Sequence, residues 1–170
     1  MGPRIRFVRD AARKLVSSCR ITAPPVNLQV VSEKIGLVYE EVDYFPDDVE
    51  ALIIRMPDRT VAAVNKNFSE TSRRFSLAHE LCHHYLHQDR TVLDERVTID
   101  SEDVGGSERL GQDPLEAEAE IFAGELLVPL PILKKHFRPG YTAADVAGIF
   151  AVSESVASIA IVSHYSALFK

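Results

Sequence analysis

The chain has two cysteines and no apolar run near the roughly 18 residues that a membrane-spanning helix requires. Cys19 and Cys82 are too few for a disulfide framework, and their scarcity agrees with a reducing compartment. The N-terminal stretch MGPRIRFVRD lacks the apolar core of a secretory leader, so the expected location is cytoplasmic. Positive charge is not in excess either: 19 basic residues face 25 acidic ones, a net charge of -6. Such a balance gives no general attraction for a phosphate backbone and disfavours nucleic acid as the main ligand. Internal repeats and low-complexity segments are also absent. What is present, 170 residues that are 46% apolar and 26% charged, suits one ordinary folded domain with at most a small appended subdomain.

The charge is uneven. Residues 1 to 20 carry Arg4, Arg6, Arg9, Arg13, Lys14 and Arg20 against Asp10 alone, the pattern of a solvated helix face. From Asp94 to Glu120 there are ten carboxylates opposed by Arg96 and Arg109.

Helical spacing runs from about residue 5 to 20, and Ala23-Pro24-Pro25 breaks it. Asn27 then caps a short helix over Leu28 to Ile35 that Gly36 ends. Leu37-Val38-Tyr39, Leu52-Ile53-Ile54 and Thr60 to Val64 read as strands, the last two joined by a hairpin turn at Met56-Pro57-Asp58-Arg59. Ser69 caps a core-packed helix extending to about Gln88. Thr91 to Gln112 holds no period and reads as a long polar excursion. Asp113-Pro114 starts a helix to Val128, and two more follow Tyr141, capped by Thr142 and Ser153. The expected fold class is α+β: mainly helical, with a small antiparallel β-sheet and a helical tail resembling a helix-turn-helix.

The core-packed helix contains His79-Glu80-Leu81-Cys82-His83, the pattern HExxH. Two histidines four residues apart lie about 40° apart in projection, so both imidazoles can reach one tetrahedral Zn²⁺. Glu80 lies round the edge of that face, placed to accept a proton from an attacking water without being a ligand. A catalytic zinc needs a third protein ligand. Asp89 projects away from the histidine face if the helix continues, and three histidines in a straight row cannot converge on one ion. Asp89 and His87 are therefore assigned to the surface or to positions behind the ligands. On the helix from Pro114, Glu116 shares a stripe with Ala119, Ala123 and Leu127, whereas Glu118 and Glu125 fall on another side. A carboxylate on a buried face needs a partner or a metal, which makes Glu116 the third ligand. Glu120, one turn on, is the alternative, or a partner for a ligand histidine.

The stretch Arg74-Phe-Ser-Leu-Ala-His-Glu-Leu-Cys-His83, followed by Glu116-Ala-Glu-Ala-Glu-Ile-Phe-Ala-Gly-Glu-Leu-Leu-Val-Pro129, resembles the paired signatures of the ImmA/IrrE family of zinc metallopeptidases. The order of elements also matches over about residues 5 to 130. The resemblance implies a zincin-like metallopeptidase domain over 1–130, with 131–170 a C-terminal helical subdomain packed on it. It implies His79, His83 and Glu116 as Zn²⁺ ligands and Glu80 as general base. Two departures stand out: Cys82 replaces a frequent Gly, and Glu120 replaces a frequent Asn, which leaves the choice between Glu116 and Glu120 open.

The reaction expected from these residues is peptide-bond hydrolysis without a covalent intermediate. Strand Ala62 to Asn65 could hold an extended substrate by strand addition. An oxyanion-stabilising residue is left open among His84, Tyr85, His87 and Tyr141. In the family, the resemblance points to site-specific cleavage of a helix-turn-helix transcriptional repressor in stress response or mobile-element derepression. A rival reading is a non-catalytic zinc-containing interaction module, antitoxin-like. Direct DNA binding by the segment Asp145 to Ile159 is not expected, because Tyr141 to Phe169 contains no Lys or Arg to meet phosphates or guanine edges.

Overall fold

The computed structural model describes residues 2–45, 48–87 and 113–169. In chain order the elements are α1 (Ile5–Ser18), α2 (Leu28–Lys34), β1 (Val38–Val42), β2 (Ala51–Arg55) and β3 (Thr60–Asn65). They are followed by α3 (Glu70–Leu86), α4 (Pro114–Leu127), α5 (Leu130–His136), α6 (Ala143–Phe150), α7 (Glu154–Ser163) and α8 (Tyr165–Leu168). The α+β reading is correct, with helices dominating. The polar excursion Thr91 to Gln112, and Asp89 with it, lies outside the described residues.

Local signals set most boundaries. The Asn27 side chain accepts from the Val30 N–H at 3.2 Å, and Gly36, at φ +84°, turns the chain out of α2 toward β1. The backbone N–H of Met56 donates to Arg59 O at 2.8 Å, closing the β2–β3 hairpin, and Ser69 accepts from Ser72 N–H at the start of α3. Thr142 and Asp145 form a reciprocal capping box at α6.

The sheet corrects one expectation. Its order is β1-β3-β2, with β2 antiparallel to β3 but β1 parallel to it, so the sheet is mixed rather than antiparallel. A hairpin turn fixes only the strands it joins, and β1 enters from α2 on the far side of β3. β3 is consequently central and hydrogen-bonded on both sides, and Val61 through Asn65 are all buried. A substrate cannot add to Ala62 to Asn65, as the isolated strand suggested. β2 is paired on one side only among the described residues and packs against α3. Buried Glu50, just before β2, accepts hydrogen bonds from the Ser72 hydroxyl at 2.6 Å and from the Ser76 hydroxyl, pinning this strand to the N-terminal half of α3.

One apolar cluster runs from Val8 of α1 through Leu81 of α3 and Phe122 of α4 to Ala160 of α7. Its centre is α4, which is covered by α3 on one flank and α1 on the other. This double cover explains two further differences from the sequence reading. Glu118 and Glu125 do fall on a different side of α4 from Glu116, yet that side is buried as well: they are 2% and 4% exposed. The basic side chains of the first 20 residues are more than a solvated face: Arg4, still 49% exposed, pairs with Glu118 at 2.7 Å, and half-buried Arg13 of α1 pairs with Glu125 at 2.7 Å. A buried carboxylate requires such partners.

Burial opposes ionisation of Glu125, but His164 Nε2 at 2.9 Å, Arg13 Nε at 2.7 Å and the Leu130 N–H at 3.0 Å outweigh it and hold its pKa below the usual value. The unfolded chain, with its Glu near about 4.3, then binds more protons than the folded one on acidification. The stability that Glu125 contributes is present above that value and lost as the pH falls. Urea midpoints should drop between about pH 5 and pH 3 in the wild type and drop less steeply in Glu125→Gln. Equal slopes in the two proteins would contradict the assignment.

Candidate metal centre

His79 and His83 lie one turn apart on α3, and both are buried. Their tips converge, with Nε2 atoms 3.1 Å apart. Glu116 arrives from α4. The Asp113 side chain accepts from the Leu115 N–H at 2.8 Å and Pro114 fills the first turn, so the helix starts where Glu116 can face α3. Buried Ala119 and Ala123 on α4 leave room for α3 to approach closely. Glu116 Oε2 is 3.0 Å from His79 Nε2, and Oε1 is 3.4 Å from His83 Nε2.

The ligand atoms of these three residues all fall within 4.8 Å of one another. Donors about 2.0–2.2 Å from a tetrahedral ion sit roughly 3.3 Å apart, and the observed spacings bracket that figure. With both Nε2 atoms unprotonated, two imidazole lone pairs and a carboxylate aimed at one point repel unless a cation lies between them. Two His and one Glu is a donor set that suits Zn²⁺. The three residues singled out from the sequence are thus brought together, and Glu120, one turn further along α4, is not in the converging group among the described residues. Glu80, adjacent to His79 on α3, is half-buried.

Of the four oxyanion candidates, His84 and His87 are not in the converging group among the described residues. His87 turns toward Glu118, with Nε2 to Oε2 at 3.0 Å. The Tyr85 ring lies 6.3 Å from that of Phe122, and Tyr141 meets Phe137 edge-on at 6.0 Å. His84 has a buried Nδ1 with no hydrogen-bond partner among the described residues. Its pKa is pushed down by burial and by Arg55. Cys82 is fully buried, and desolvation together with the charges of Glu118 and Glu116 pushes its thiol up, so it packs rather than reacts.

Three polar residues lie behind the cluster, His87, Glu118 and Arg4, and sequence reasoning gave no part there to Glu118 or Arg4. His87 was placed at the surface or behind the ligands, and the structure puts it behind, 6% exposed, with burial pushing its pKa down. Glu118 is held to about 2 by hydrogen bonds from the Arg4 side chain, against the cost of burial, with the Arg4 N–H and His87 adding to the effect. The available signal was the continuation of the histidine stripe to His87, combined with a second carboxylate two residues after Glu116.

No curated protein matches the sequence. Among solved structures, a Mycobacterium tuberculosis transcriptional regulator is similar over 89% of this chain, with a TM-score of 0.61 and 17% sequence identity. That likeness is one of fold, and this chain spans 45% of the regulator's length. The family model of the IrrE N-terminal-like domain, a peptidase family, matches residues 26–161, which include α3, α4 and all three converging side chains. The chain belongs to the IrrE N-terminal-like domain family of peptidases.

Proposed function

We propose that this chain is a zinc-dependent endopeptidase that cuts a specific protein, a helix-turn-helix transcriptional repressor, so that a stress or mobile-element signal becomes gene expression. The observation that carries the reading is the convergence of His79, His83 and Glu116 from two helices, with Glu80 next to the first of them on α3. These three side chains would hold Zn²⁺, which supplies the Lewis acidity that acidifies a water and polarises the scissile carbonyl. Glu80 takes the proton from the attacking water and returns it to the leaving amine, so hydrolysis needs no covalent intermediate. The edge of β2 that carries no ladder partner among the described residues is the place where an extended substrate can add a strand beside α3.

The test is incubation of the zinc-loaded protein with purified helix-turn-helix repressors, read by mass spectrometry. Cleavage at one site, stopped by a chelator and restored by zinc, is expected. Intact repressors throughout, with zinc bound, would contradict the proposal.

A further inference from the structure

A second row of polar groups runs from the cluster into α1. His83 Nδ1 and His87 Nδ1 are 3.1 Å apart, and His87 Nε2 lies 3.0 Å from Glu118 Oε2. Arg4 closes the row: its Nε donates to Glu118 Oε1 at 2.9 Å, its Nη2 to Oε2 at 2.7 Å and its backbone N–H to Oε1 at 2.8 Å. None of these three residues has a part in the hydrolysis described above.

The hydrogens in this row are determined from one end. Glu118, ionised against Arg4, only accepts, so the hydrogen in its contact with His87 belongs to His87 Nε2. A neutral His87 then offers a lone pair at Nδ1. Its contact with His83 is a hydrogen bond only if His83 carries its own hydrogen on Nδ1. That leaves His83 Nε2 as a bare lone pair facing His79 and Glu116. His79 lacks such a clamp, since its Nδ1 is buried without a hydrogen-bond partner among the described residues.

We infer that Arg4, Glu118 and His87 are positioning residues that fix His83 as an Nε2 ligand, so that the docking of α1 on α4 sets how tightly the metal is held. The inference rests on the reading of His79, His83 and Glu116 as a metal site. Groups behind a ligand histidine commonly change metal affinity by about 10–100-fold.

The test uses the full chain, stripped of metal. Zn²⁺ affinity is measured by competition with a chromophoric chelator, and the His83 tautomer by long-range ¹H–¹⁵N spectra. His87→Phe, which fills the volume without hydrogen bonding, and Glu118→Gln should each bind Zn²⁺ about 10–100-fold more weakly. In both variants the His83 hydrogen should leave Nδ1 for a mixture of both nitrogens. Arg4→Gln, at a side chain that is 49% exposed, should weaken binding by a smaller factor. Combining it with His87→Phe should add nothing, because Arg4 acts through His87. Unchanged affinity and tautomer in a folded His87→Phe would overturn the inference. Should that variant fail to fold, the same null result in Arg4→Gln would overturn it. A wild-type protein that binds no Zn²⁺ gives a different result, overturning the metal reading and this inference with it.

Discussion

Replacing Glu80 by glutamine should leave zinc content unchanged and slow cleavage of the substrate by about 10²–10⁴-fold. The two parts of this result have separate causes. Glu80 is not among the three side chains that converge, so its substitution removes no ligand atom from the cluster. Glutamine keeps the size and hydrogen-bonding reach of glutamate on α3 but cannot take a proton from water, and the attacking nucleophile is then the weaker neutral molecule. At about 1.36 kcal/mol per tenfold, the expected loss corresponds to roughly 3–5 kcal/mol of barrier. Metal content by elemental analysis and cleavage rate under single-turnover conditions read the two parts independently. A Glu80→Gln protein that holds zinc and retains full biological function would favour the non-catalytic interaction module instead.

Elements fixed by neighbours in the chain were legible in the sequence. Asn27, Ser69 and Thr142 cap helices through hydrogen bonds three residues long, and the Met56 to Arg59 turn closes within itself. The HExxH pair belongs to the same class, since a helix places residues four apart on one face whatever surrounds it. Glu116 was legible for a different reason: it shares a stripe with small apolar residues that must face a neighbour.

What escaped the sequence depends on contacts between distant segments. The parallel pairing of β1 with β3 depends on where the chain goes after α2, which no turn signal encodes. Glu118 and Glu125 were read as lying off the buried stripe, as they would in a helix with one solvent face. α1 removes that face, and its arginines, more than 100 positions away, supply the counterions. The same cause hid the row from His83 to Arg4, since His87 gains a partner only once α4 is docked beside α3.

Glu116→Ala should empty the site. Without this carboxylate the cluster keeps two histidines on a single helix, one protein ligand short of the three that catalytic zinc sites use. Glu120→Ala is the matched control, a carboxylate removed one turn along the same helix. Elemental analysis of the wild type and both variants after zinc reconstitution and exhaustive dialysis tests the central claim directly. About one zinc per chain is expected in the wild type and in Glu120→Ala, and a small fraction of that in Glu116→Ala. No zinc in the wild type, or full retention in Glu116→Ala, would contradict that claim.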